Sequence, residues 1–296
     1  MRKDPCFVVE IDITLAPKIK GDLDSQGFTL TQPAYTLFQA KKKGVSCTLY
    51  QSGKLTVQGK DKEEFINYYL EPEILKTFTY SYPKVNIDLT PRIGVDEAGK
   101  GDVFGPLCIG SIYADKKGIE TLIDWGIRDS KKMGDPAILE YAKKLRAHFP
   151  YTLIALFPSK YNELYAKFNN LNRLLAWGHA TAISELVQKT GCHEVIIDQF
   201  AKEEVVEAAI RQKKCIVNLT QRFKGEEDVV VAASSIIARA AFVEGIKKLG
   251  DEYNIILPKG ASKAVVEVGK TFVGRYGKDS LDKVSKLHFK TIKEML

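Results

Sequence analysis

The sequence predicts an α/β protein, a sheet covered by helices, preceded by a smaller α+β unit. From residue 92 onward, short apolar runs alternate with amphipathic stretches of helical period, the pattern of a sheet packed on both faces. Before residue 82 the pattern differs: consecutive strand-like runs are closed by one helix. Between them, 83–91 begins and ends on proline and has no periodicity, so it is read as a linker between domains 1–82 and 92–296.

In the first domain, "FVVEIDITL" (7–15) alternates apolar and polar residues as a half-buried strand does. "YTLFQAKKKGVSCTLYQSGKLTVQGK" (35–60) reads as strands broken by the turn signals Lys43-Gly44 and Ser52-Gly53. "DKEEFINYYLEPEIL" (61–75) starts behind Asp61 with an acidic first turn and carries Phe65, Ile66, Tyr69 and Leu70 at helical spacing.

In the second domain, "RIGVD", "CIGSIYA" (108–114), "YTLIALF" (151–157) and "EVIID" (194–198) are strands. "PAILEYAKKLRAHF" (136–149) is a helix with proline suited to its first turn, and 171–190 a long helix closed by Gly191. "VVVAASSIIARAAFVEGIKKL" (229–249) is apolar nearly all round and is read as a buried helix.

A chain of 296 residues has room for two such domains. No apolar run is read as a membrane span, and Glu10 and Asp12 interrupt the N-terminal apolar stretch, against a secretory leader. Five scattered cysteines without a C-x-x-C pair fit reduced thiols in a cytoplasmic protein, not a disulfide framework or a zinc site. A net charge of +7 favours a polyanionic partner.

Chemistry concentrates where strands end. Asp96 and Glu97 follow the run 93–95 and open the turn "DEAGKG"; Asp198 ends "VIID"; Glu226, Glu227 and Asp228 precede the buried helix. Functional groups of open α/β sheets gather at strand ends, so these acids are candidates to converge. Carboxylates held together repel unless a cation shares the site, and all-oxygen ligands favour Mg2+ or Mn2+. Two such ions about 4 Å apart activate a water and stabilise a leaving oxygen in phosphoryl displacement. Taken singly, each acid also suits an ordinary turn or cap, and "DEAGKG" a solvated turn. The stretch does not fit the G-x-G-x-x-G or Walker patterns.

"VDEAGKGDVFGPL" resembles the first motif of the type 2 ribonucleases H, D-E-x-G-R/K-G-x-x-x-G-P. "RDSKKM" (128–133) resembles the second, "VIIDQF" the third, and "KGEEDVVVAASSIIARAAFV" the fourth, in family order. Lys100, "LNRLLAWGHATAI", "IDQFA", "LPKGAS" and "KLHFKT" look like the ribonuclease HIII family within that class. The first 80 or so residues are similar in position, size and pattern to the TATA-binding-protein-like domain that precedes the catalytic domain there.

The resemblance implies a ribonuclease-H-like mixed sheet flanked by helices, and endonucleolytic hydrolysis of the RNA strand of RNA–DNA hybrids to 5′-phosphate and 3′-hydroxyl ends. It implies two Mg2+ or Mn2+ ions on Asp96, Glu97, Asp198 and a fourth acid. Glu226 matches the family pattern and is preferred, but its distance from the helix is one residue short, which leaves Asp228 as a rival. Gly99, Lys100 and Gly101 would meet 2′-hydroxyls through the backbone, and Ser130 and Lys131 would contact phosphates. No membrane and no obligatory protein partner is implied, and the chain is expected to act as a monomer.

Other residues have two readings. His179 fits helix packing, and His288 substrate contact without catalysis; Lys41–Lys43 with Tyr35, Phe38 and Tyr50 fit a nucleic-acid face or a solvated hairpin over a small core. The competing functions are a ribonuclease HII-like enzyme that incises at RNA–DNA junctions and a hybrid-binding protein without catalysis; the intact acid set opposes the latter.

Ribonuclease HII senses the junction with a C-terminal tyrosine, and "KLHFKT" offers none, Tyr276 lying upstream. A duplex with one embedded ribonucleotide is therefore expected to be cut weakly or not at all beside an all-ribo hybrid strand. Equal rates on the two substrates contradict this.

Overall fold

The computed structural model describes residues 6–76, 88–127, 133–223 and 225–296, with Glu226 described in its backbone alone. Most of the expected linker 83–91, and the expected phosphate contacts Ser130 and Lys131, lie outside these residues. The chain divides into two compact units, Met1–Asp88 and Leu89–Leu296.

The first unit is an antiparallel sheet of β1 (Cys6–Glu10), β2 (Thr29–Thr31), β3 (Thr36–Lys42), β4 (Val45–Tyr50) and β5 (Lys54–Gln58), in the order β1-β5-β4-β3-β2. The expected turns are present, with Gly44 and Gly53 at φ of 89° and 84°. Side chains alternate across the sheet: Phe38, Ala40, Cys47 and Leu49 enter the core, while Gln39, Lys41, Ser46 and Tyr50 occupy the other face.

The strand expected over 7–15 ends at Glu10, because Asp12 accepts from the Thr14 amide at 2.9 Å and starts a 3-10 turn. That turn leads into helix α1 (Ala16–Ser25), which the sequence reading overlooked. Its signal was present: Pro17 in the first turn, Ile19 and Leu23 buried on one face, and Gly27 beyond its end at φ 80°. The helix expected over 61–75 is one α-turn, α2 (Lys62–Phe65), running into wider π-type turns over Ile66–Leu75. Pro72 inside that segment has no amide to donate to an α-ladder.

The second unit carries a mixed sheet, ordered β10-β9-β6-β7-β8. Its strands are β6 (Arg92–Ala98), β7 (Leu107–Ala114), β8 (Tyr151–Leu156), β9 (Glu194–Asp198) and β10 (Asn218–Arg222). β6–β7 and β7–β8 pair antiparallel, and β6–β9 and β9–β10 parallel. The helices are α3 (Lys116–Asp124), α4 (Asp135–His148), α5 (Pro158–Phe168), α6 (Leu171–Thr190), α7 (Glu203–Gln212), α8 (Val229–Glu252) and α9 (Lys263–Tyr276). Helix α6 packs on one face of the sheet through Leu175, Ala182 and Leu186, and α8 packs on the other.

Helix α8 is long and apolar enough to cross a membrane by length and composition, which qualifies the expectation that no run approaches a span; most of it is buried within its own unit. It lies directly on the sheet backbone. A Cβ built on Gly94 would sit 2.5 Å from the amide nitrogen of Val231, and one on Gly110 2.9 Å from that of Ala238. Ser234 uses the closeness to donate from Oγ to the Gly94 carbonyl at 2.7 Å.

Gly94→Ala therefore forces α8 off β6, at a cost of about 1–3 kcal/mol. For a unit of this size each kcal/mol lowers Tm by about 2–4 °C. A thermal melt of the variant that overlays the parent curve refutes the contact.

Candidate active site

The acids stand at one end of the mixed sheet. Parallel register sets Val95 beside Ile197, so Asp96 and Asp198 are the next pair along, on neighbouring strands about 4.8 Å apart. Val95 and Ile197 face the α6 core, so the two aspartates, one residue on, face the α8 side. Asp96 Oδ1 accepts from the amide of Glu97 at 2.8 Å.

Asp198 is tied to the segment preceding α8. Its Oδ1 accepts from the Gly225 amide at 2.7 Å, at the start of the 3-10 turn Gly225–Glu227. A Cβ on Gly225 would lie 2.7 Å from the Asp198 Cα, so only glycine lets this turn rest on β9. The backbone of Glu226 thus follows directly on an amide bonded to the Asp198 carboxylate.

Asp228 has other employment. Oδ1 caps α8 by accepting from Val230 and Val231 amides at 2.9 and 3.3 Å. Oδ2 accepts from Arg92 Nε at 2.9 Å and Nη2 at 2.8 Å, both side chains being buried. Both oxygens are committed to holding the helix on the strand.

Glu97 points to the opposite side of β6 from Asp96, toward α6. Its Oε2 accepts from His179 Nε2 at 3.0 Å, and Lys100 Nζ stands 3.5 Å from Oε1. Burial pushes this carboxyl up, but the hydrogen bond from His179, and after it Lys100, outweigh burial and hold the group below its ordinary range. His179, read from sequence as a packing residue, is fully buried and also touches a site acid. The signal was its place two turns into a helix that crosses the end of β6, and this needs the fold to be seen.

Among the described residues, no three His, Cys, Asp or Glu side chains are grouped to hold a metal ion. Glu97 faces His179, and the side chain of Glu226 lies outside the description.

The glycines of "DEAGKG" divide. Gly99 is buried at φ 86°, and a Cβ there would meet the Pro106 carbonyl oxygen at 2.2 Å, so the turn itself demands it. Gly101 is exposed and a Cβ there would meet nothing, so packing does not explain it.

The loop after it is held by a residue that the sequence reading passed over within "KLHFKT". Lys286 is fully buried and donates from Nζ to the carbonyls of Asp102 at 2.8 Å, Phe104 at 3.4 Å and Gly105 at 2.6 Å. Burial pulls its pKa down to about 8. Gly260 of "LPKGAS" joins the same loop, donating to Asp102 Oδ1 at 2.6 Å and accepting from the Val103 amide at 3.0 Å. His288 Nδ1 lies 3.2 Å from the Tyr161 hydroxyl, and its ring stacks on Tyr165 at 4.6 Å. Burial, and then the charge of Lys286, lower its pKa.

A cavity of about 470 Å³ opens elsewhere, beside the C-terminal half of α8 between Val243, Ile246, Asn254 and Lys259, and none of the acids lines it.

A family model described as ribonuclease HII matches residues 93–292, and one described only as a domain of unknown function matches 6–81. A ribonuclease HIII of Protochlamydia amoebophila is 50% identical over 99% of this chain and 97% of its own length. A crystal structure of Bst ribonuclease HIII in complex with Mn2+ superposes with a TM-score of 0.69 at 27% identity, covering 98% of this chain and 97% of that one. The crystal structure of Aquifex aeolicus ribonuclease H3 does so at 0.57 and 26%, covering 96% and 100%.

The commitments of Asp228 separate the two rival acids. Asp228→Asn removes the carboxylate charge that faces the buried Arg92 guanidinium and is expected to cost about 3–5 kcal/mol while leaving divalent-ion binding in place. Glu226→Gln is expected to do the reverse, leaving the melt and weakening the ion. Calorimetric titration and thermal melts of both variants check this, and the opposite assignment of effects reinstates Asp228.

Proposed function

The chain belongs to the ribonuclease HII family, within its ribonuclease HIII group, and from that membership we propose how its residues do the work. The enzyme hydrolyses the RNA strand of RNA–DNA hybrids endonucleolytically, with Mg2+ or Mn2+ as cofactor. The products carry 5′-phosphate and 3′-hydroxyl ends.

Asp96, Glu97, Asp198 and Glu226 are the catalytic metal ligands in this proposal. The observation that carries it is the Val95–Ile197 pair of two parallel strands, beyond which Asp96 and Asp198 are the next residues, with the backbone of Glu226 following the amide bonded to Asp198. The donor set fits: it is all carboxylate oxygen, which suits a hard divalent ion, and Asp228 is withdrawn from it by Arg92. When bound, two such ions supply an activated water and stabilise the departing 3′-oxygen.

The chain's own groups position the strand. Gly99 makes the turn that puts Lys100 and Gly101 at the surface, where an amide and carbonyl unobstructed by a side chain can test for a 2′-hydroxyl. Lys286 keeps the next residues of that loop fixed from within. Ser130 and Lys131 contact phosphates flanking the cut, which orients the strand without reading its sequence.

The N-terminal domain, 1–82, joined by the linker 83–91 to the catalytic domain 92–296, is proposed to bind substrate. The face of its sheet away from the core carries Gln39, Lys41, Ser46 and Tyr50, a polar, basic and aromatic surface suited to a sugar-phosphate backbone. Phe38, by contrast, belongs to the core and drops out of that face. Action as a monomer is part of this proposal, and five free thiols suit the cytoplasm.

Asp96→Asn removes a ligand charge and is expected to abolish cleavage of an RNA–DNA hybrid in Mg2+ while hybrid binding, measured by mobility shift, stays near the parent's. EDTA is expected to stop the parent enzyme in the same assay. Near-normal turnover of Asp96→Asn sinks the ligand assignment.

A further inference from the structure

His179 stands apart in this unit. It is fully buried in the middle of α6, its ring lies 4.5 Å from that of Phe200, and its buried Nδ1 has no hydrogen-bond partner among the described residues. Burying a polar nitrogen unpaired carries a desolvation cost that leucine or phenylalanine in the same place would not. Packing alone therefore gives no reason for histidine here. The other nitrogen supplies one, since Nε2 donates to Glu97 Oε2 at 3.0 Å.

That bond divides the carboxylate. Oε2 is tied to a ring clamped inside a helix, and Oε1 has Lys100 Nζ at 3.5 Å. Lys100 is more than a third exposed and lies 5.8 Å from the Phe200 ring, so its hold on Oε1 is loose while that of His179 on Oε2 is rigid. A ligating carboxylate needs its orientation set by a second hydrogen bond, because a freely turning one loses entropy each time the ion binds.

We infer that His179 is a positioning residue, which by donating from Nε2 to Oε2 of Glu97 fixes that carboxylate so that it serves a divalent ion through Oε1. The inference rests on the reading of Glu97 as a metal ligand. It gives the unpaired Nδ1 its explanation: the ring's geometry is set by the bond at Nε2, and among the described residues the core around it offers no donor to the lone pair of the other nitrogen.

The test is Mn2+ binding, followed by electron paramagnetic resonance of free ion, on the full-length chain without substrate. His179→Phe keeps an aromatic ring but no donor and is expected to weaken Mn2+ binding about 10–100-fold. Its hybrid binding without divalent ion is expected to match the parent's. His179→Gln, whose amide can reach the place of Nε2, is expected to recover most of the loss. In a Glu97→Gln background, His179→Phe is expected to add nothing, because its effect runs through Glu97.

Metal-free melts establish that each variant folds, and His179→Asn, whose amide falls short of Glu97, replaces the phenylalanine variant if that one does not. Mn2+ binding at parental affinity in the donor-less variant, or losses that add in the double variant, overturns the inference. Asp96→Asn run alongside separates the two readings. If it loses Mn2+ while His179→Phe does not, only the role of His179 falls; if Asp96→Asn also binds normally, the ligand set itself falls.

Discussion

Helix α8 rests on the backbone of β6 at Gly94, and the acid end of the sheet hangs from that contact. With no side chain between them, the first turn of the helix sits at the level of Gly94, two residues before Asp96. Arg92 and Asp228 lock the approach: the arginine reaches from the strand, and the aspartate caps the helix and pairs with it. The turn Gly225–Glu227 is thereby drawn onto Asp198. An ion pair so buried costs much of its own attraction in desolvation. Its worth lies in register, since it sets which residue ahead of α8 stands opposite β9.

A second set of contacts does for the Gly-rich loop what α8 does for the acids. Lys286 places an ammonium under three carbonyls of residues 102–105, and Gly260 closes the other side. A lysine in apolar surroundings is tolerable because each of its protons has an acceptor. The cost is visible in its pKa, drawn down to about 8, but the loop that carries Lys100 and Gly101 gains a rigid floor. Distant chain segments thus converge on a few residues of backbone.

Much of this was legible beforehand. Strand ends, the Gly-rich turn and the all-round apolar character of α8 are local properties, and they located Asp96, Glu97 and Asp198 on β6 and β9. What local pattern misled was backbone winding: Pro72 bends a helical period into π-type turns, and the cap at Asp12 stops a strand whose alternation continues. What it left unseen was partnership across the fold. Pattern alone prefers Glu226 over Asp228, and the bond from Arg92, 136 residues away, to Asp228 is not visible there. His179 reads as core until α6 is laid across Glu97, and Lys286 is passed over until the loop closes over it.

The acids raise a problem that the remaining residues answer. The acids proposed as ligands would have to receive a polyanion, and like charges repel most strongly where the dielectric is low. The repulsion is lessened in two ways besides any bound cation. Glu97 is turned off the Asp96–Asp198 face and shared with His179 and Lys100, so its charge is partly spent within the protein. Asp198 accepts a backbone amide, and Asp96 another, which spreads charge into fixed dipoles. Such dipoles need no reorganisation when the substrate arrives, so the same bonds that make the acids tolerable together also hold them oriented. At Asp96 and Asp198, stability and preorganisation are supplied by the same amides, whereas the Arg92–Asp228 pair adds stability through a carboxylate that stands apart from them.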